Sequence, residues 1–281
     1  MEIQLEKKHD NEADEVWFSP WLKSEFPSIY DNLTRILDKH HVPYKLIPCT
    51  NDYWCRDYMP VQTDLNRYVC YRYYPDYLLK NPSDKKYITD TRKVCWKMNL
   101  EAEFTDIIID GGNVVKAGNM VIMTEKVFAE NSGIPVRELT ARLETLFGCK
   151  IIFLPWDRNE IFGHADGILK PISEDTVLMT NYNDFDAGYY EEFNARLSEH
   201  FKVRTLRYDV PHKDERNWAY INFISVSNLI ILPKLNIAED GQALEQIKTY
   251  YPQCEVEQVD IETLVKKGGG LNCVSWCRKT K

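Results

Sequence analysis

The chain has 281 residues, 44% hydrophobic and 28% charged, which is ordinary globular composition and enough length to bury a large core. A net charge of −8 argues against general nucleic-acid binding and is compatible with a cationic substrate. No apolar run reaches the ~18 residues of a membrane span.

Residues 1–15 are highly charged and lack an apolar h-region, so they do not read as a secretory signal, and a cytoplasmic location is expected. Residues 28–40 then read as a helix and 44–48 as a strand. Residues 61–73 read as two strands with a turn near Leu65 and Asn66, followed by a helix over 88–99 and a strand over 102–109. The same order recurs. A hairpin over 114–123 turns at Gly118 and Asn119, and an amphipathic helix over 135–147 begins near Pro135 and leads to a strand over 150–155. Next come a hairpin over 166–180, a helix over 187–201 and a strand over 202–208. After them come a hairpin over 219–233, a helix over 240–250 and a strand over 255–259. Residues 271–277 supply one last strand.

The hairpins begin near Val61, Val114, Asp166, Ala219 and Leu271, separated by roughly 53, 52, 53 and 52 residues. The expected fold is therefore α/β: a single domain over 1–281, a five-bladed propeller of ββαβ units with pseudo-five-fold symmetry. Its fifth unit is closed by the N- and C-terminal segments. An ordinary α+β domain with accidental spacing is the alternative.

The polar motifs fall at the junctions between units, where radial geometry would bring them together. Cys273 ends a Gly-Gly-Gly-Leu-Asn-Cys run and is the candidate nucleophile; backbone N–H groups or a nearby cation could stabilise its thiolate. Read alone, it is equally a buried structural cysteine. Cys277 reads as packing. His164, in Gly-His-Ala-Asp-Gly, is the candidate acid/base. Asp166, two residues on along an extended segment, would point the same way and either orient the imidazole or bind substrate. Trp54 offers a flat wall for a cation and Asp57 a carboxylate. Asp110, in Asp-Gly-Gly-Asn, is either a turn residue or another carboxylate of the site. Asn222 is a polar residue in an apolar strand, either a buried hydrogen-bonding group or a substrate contact. Arg56, Arg158 and Arg216 are loop candidates for recognising the rest of a substrate.

Carboxylates grip a planar guanidinium through paired N–H bonds, a thiolate attacks its carbon, and an imidazole supplies a proton to departing ammonia. The eight scattered cysteines include no C-x-x-C pair, so no structural zinc and no other cofactor is expected.

Taken in order, Trp54 to Asp57, Asp110 to Asn113, Gly163 to Gly167, Ala219 to Phe223 and Gly268 to Cys273 resemble the agmatine deiminase and bacterial peptidylarginine deiminase family, within the guanidino-group-modifying superfamily. The resemblance implies a five-bladed α/β propeller and hydrolytic deimination of a small-molecule or peptide guanidino substrate. In it, Cys273 is the covalent nucleophile, His164 the acid/base, and Asp57 and Asp166 the grip on the guanidinium. Trp54 lies against the substrate, Asn222 lines the pocket, and Asp110 stands where many relatives carry a glutamate. Asn272 departs from the histidine that many agmatine deiminases have beside the cysteine. Amidinotransfer through the same intermediate, or a silent propeller binding a cationic ligand or protein, are the alternatives. The group bearing the guanidinium and the oligomeric state stay open.

Overall fold

A computed structural model describes residues 12–280. The reading of residues 1–15 as a non-secretory segment lies mostly outside them.

Among the described residues, fifteen strands form five sheets of three. Four sheets are contiguous in sequence: β3 (Val61–Asp64), β4 (Arg67–Arg72) and β5 (Ala102–Ile108); β6 (Val115–Ala117), β7 (Met120–Thr124) and β8 (Ile151–Leu154); β9 (Leu169–Ser173), β10 (Thr176–Met179) and β11 (Lys202–Thr205); β12 (Ile224–Val226), β13 (Leu229–Lys234) and β14 (Glu255–Asp260). In each, an antiparallel hairpin is joined by a parallel third strand. A parallel neighbour needs a crossover. The helices Thr91–Lys97, Val136–Phe147, Ala187–Ser198 and Asp240–Tyr250 supply it.

The fifth sheet is assembled from both ends of the described chain. β15 (Ser275–Arg278) pairs antiparallel with β1 (Glu15–Phe18), which pairs parallel with β2 (Tyr44–Leu46). The helix Pro27–Lys39 makes that crossover and buries Ile29, Leu33, Ile36 and Leu37, the i, i+4, i+7, i+8 stripe of an amphipathic helix. The ββαβ propeller expected from the spacing is thus the observed fold. β1 was not expected, because its four residues follow directly on the charged segment.

Burial runs from axis to rim. The first strands of the five units, β3, β6, β9, β12 and β15, are buried over their first three residues. Strands covered on both faces lose the polar/apolar alternation. The third strands β5, β11 and β14 carry several exposed residues. Polar side chains stitch the inner strands together: Trp276 Nε1 donates to Pro60 O (2.8 Å), Lys116 Nζ to Gln62 O (3.1 Å) and Lys170 Nζ to Phe223 O (2.9 Å).

Candidate active site

Each junction between a third strand and the next inner strand turns through a short helical segment. Cys55–Tyr58 follows β2, Gly111–Asn113 follows β5, Ala165–Gly167 follows β8 and Glu215–Ile221 follows β11. Sequence spacing suggested an extended segment at His164 to Asp166; His164 is extended, but Asp166 lies on a 3-10 turn. The junctions enclose a cavity of about 690 Å³ walled by Trp54, Asp57, His164, Asp166, Asn222 and Cys273. Asp110 is not on that wall. It stands behind His164 with its side chain wholly buried, a carboxylate placed next to the imidazole instead of on the lining.

The Cys273 thiol donates to Asn222 Oδ1 (3.2 Å), and the Cys273 backbone N–H donates to the same oxygen (3.2 Å). A Cβ on Gly270 would fall 2.7 Å from that oxygen, so only glycine lets the chain pass this close. Burial, then the Asp166 and Asp57 charges, push the thiol well above its usual range, against smaller opposing contributions from the Gly270 backbone and Asn222. Burial and these carboxylates thus favour the neutral thiol over the thiolate.

His164 is held from two sides. Its Nε2 donates to Asp110 Oδ2 (3.0 Å), and Nδ1 lies 3.5 Å from Asp57 Oδ1. Burial disfavours the charged ring, but Asp57 and Asp110 outweigh it and raise the imidazole to about 9. The orienting carboxylates are therefore Asp57 and Asp110 rather than Asp166. A Cβ on Gly112 would lie 2.7 Å from both Asp57 Oδ1 and His164 Nδ1. The Gly112 N–H instead donates to that carboxylate (3.1 Å). Asp57 Oδ2 accepts from Tyr77 Oη (3.1 Å). Burial, with help from Asp110 and Asp166, raises Asp57 to about 6 despite His164.

Asp166 Oδ2 accepts from Asn272 Nδ2 (2.7 Å). The orientation of that amide is fixed from behind, because Asn272 Oδ1 accepts from Arg56 Nη2 (2.9 Å) and Lys170 Nζ (2.7 Å). Two cations on the oxygen leave the NH₂ group for the carboxylate. Arg56 is thus committed inside the fold, Arg158 lies over the Trp156 ring (3.8 Å), and Arg216 pairs with Asp214 while lining the cavity. Trp54 presses so close to Gly269 that a Cβ there would meet its ring at 2.3 Å.

Sequence reading missed Lys126, Tyr77, Lys170 and the structural part played by Asn272. Among the described residues, no group of three or more His, Cys, Asp or Glu side chains is disposed to hold a metal ion.

This architecture is that of a class of α/β propellers known from solved structures. It superposes on C. jejuni agmatine deiminase with a TM-score of 0.77 at 18% identity, over 97% of this chain and 95% of that one. It also matches an amidinotransferase of Microseira wollei, from a saxitoxin biosynthetic pathway, with a TM-score of 0.64 at 10% identity, over 96% of each chain. The chain belongs to the Porphyromonas-type peptidyl-arginine deiminase family, whose model matches residues 27–277. A protein of Mycoplasma capricolum provisionally named agmatine deiminase is 24% identical over 221 residues, 66% of this chain. The chain spans 61% of that relative's length.

Proposed function

We propose that the protein hydrolyses a guanidino compound to a ureido product and ammonia. The observation that carries this reading is the convergence of Cys273, His164, Asp57 and Asp166 on one cavity wall. A guanidinium is cationic at any physiological pH, and its carbon needs a soft nucleophile at the face of its plane. Asp57 and Asp166 hold the ion flat. Burial and then the Asp166 and Asp57 charges keep Cys273 protonated; the substrate's positive charge offsets those charges, so the thiol gives its proton to solvent water as the substrate binds. The thiolate forms a C–S bond to the guanidinium carbon. The resulting tetrahedral adduct breaks a C–N bond as His164 gives its proton to the leaving nitrogen, releasing ammonia. His164, now neutral, takes a proton from water. The hydroxide adds to the amidino-thioether carbon; as the C–S bond breaks, the hydroxyl proton passes to the departing sulfur, giving the ureido product and the Cys273 thiol.

The outer wall carries Phe162, Ile161, Phe185 and Trp218, a surface suited to an alkyl stem, so the substrate class is an alkyl guanidine, either small or borne on a peptide. We take residues 1–281 to act as one unit, in the cytoplasm. No described helix is long and apolar enough to cross a membrane.

Incubation with agmatine, free arginine and arginine peptides, with assay of ammonia and ureido product, tests the reading. Turnover of at least one is expected, and Cys273→Ala is expected to abolish it in folded protein. Failure of all three with folded wild-type protein would count against it. Because an amidinotransferase shares the fold, each assay is repeated with an added amine; transfer of the amidino group to that amine would replace hydrolysis as the reaction.

A further inference from the structure

Lys126 is a buried cation that the chemistry above leaves without a task. Its side chain is 0% exposed and off the cavity wall. Its Nζ lies 2.6 Å from Asp110 Oδ2, 2.6 Å from Glu130 Oε1 and 3.2 Å from Asp76 Oδ1, with the Tyr77 ring centroid at 5.4 Å. Glu130 belongs to the same short helix, Lys126–Glu130; Asp76 starts the helix Asp76–Leu79; Asp110 follows β5. A mere cross-link between units could look like this.

Two details say more. The Asp110 oxygen that takes Lys126 is the one that takes His164 Nε2, so one atom is shared between ammonium and imidazole. The other oxygen, Asp110 Oδ1, is buried and makes no hydrogen bond, so Oδ2 alone fixes how the carboxylate meets the ring. The charges also oppose one another. Asp57 and Asp110 bind the His164 proton more tightly, whereas Lys126 loosens it.

We propose that Lys126 is a positioning residue of this site, acting through Asp110 to hold the His164 ring and to keep its proton transferable. The proposal rests on the deiminase reading. The groups facing His164 are Asp57, Asp110 and the Tyr77 and Phe162 rings, with Asp166, Cys273 and Glu160 about the cavity. Those facing Lys126 are Asp76, Asp110, Glu130 and Tyr77.

The test follows the His164 ring by NMR titration in full-length protein with labelled histidine, alongside kcat and KM against pH. In Lys126→Met, the His164 midpoint is expected to rise by about one pH unit, as loss of a nearby like charge allows. Because kcat/KM reports the protons of the free enzyme, that shift lowers kcat/KM at neutral pH ~tenfold and moves the rising limb of its pH profile upward by the same amount. Glu130→Gln keeps the lysine and removes one of its competing acids, so it should move the midpoint downward. An unmoved or lowered His164 midpoint in Lys126→Met, even with reduced stability, would reduce Lys126 to a cross-link. If that variant does not fold, an unmoved midpoint in Glu130→Gln overturns the proposal. Because the NMR titration needs no turnover, an inactive wild-type enzyme would defeat the deiminase reading while leaving this shift to be judged by itself.

Discussion

On the proposed reading, the attacking state needs only one of the two protons that a thiol at Cys273 and an imidazolium at His164 would hold at rest. Cys273 is pushed well above its usual range by burial, and His164 stands at about 9 because Asp57 and Asp110 outweigh its burial. The surplus proton must leave before attack, whichever group releases it. We therefore expect kcat/KM to rise ~tenfold per pH unit through the neutral range and to level near pH 9. Below about 6 the slope should steepen, since Asp57, raised there by burial, also takes up a proton and loosens its hold on the cation. A flat profile between pH 6.5 and 8.5 would mean that the two protons are not both present at rest. At this scale the sequence exposed the actors but not their supports. Cys273, His164, Asp57 and Asp166 are marked by glycines and motif order. Lys126 and Lys170 lie in unremarkable apolar surroundings, and their partners Asp110 and Asn272 come from distant parts of the chain. Asp110 was legible as a site residue, but its place behind the imidazole depends on Gly112 letting Asp57 and His164 close in front.

Elements with a full apolar period were readable from the sequence. The helix at Val136–Phe147 buries Leu139, Leu143 and Leu146 on one face, and the hairpins carry their turn residues at the expected positions. Readings failed where local pattern was short. The helix expected over 88–99 runs only Thr91–Lys97, and the chain before it forms the turns Asp76–Leu79 and Pro82–Tyr87, which bring Asp76 and Tyr77 to the site. β1 is set by pairing with strands far along the chain, information no local window contains. Trp276 on β15 secures that arrangement: its ring meets Trp17 edge-on at 6.4 Å and Tyr68 at 6.0 Å, while Nε1 donates to Pro60 O. Trp276→Ala should cost about 3–5 kcal/mol in chemical denaturation, from lost burial and the cavity left behind. Because β15 follows directly on Cys273, activity should fall more than the remaining folded fraction explains. A loss under 1 kcal/mol, or activity tracking folded fraction alone, would show that β15 is held by other contacts.

In an open stack of repeats, end units unravel independently. Here the fifth sheet joins the two ends of the described chain, with Asp14 N–H donating to Arg278 O (2.9 Å), and no unit lies at an end. A single urea transition is therefore expected, with tryptophan fluorescence and far-UV circular dichroism superimposing. Separate transitions would mean that the units come apart piecemeal. The same stitching bears on how the protein is made. β15 is the last of the described strands to leave the ribosome, and Cys273 travels just ahead of it. Asp57, Asp110, His164 and Asp166 are synthesised well before Cys273, so for most of its synthesis a nascent chain lacks the thiol of the proposed site. On the proposed reading, the site is complete only once β15 docks beside β1.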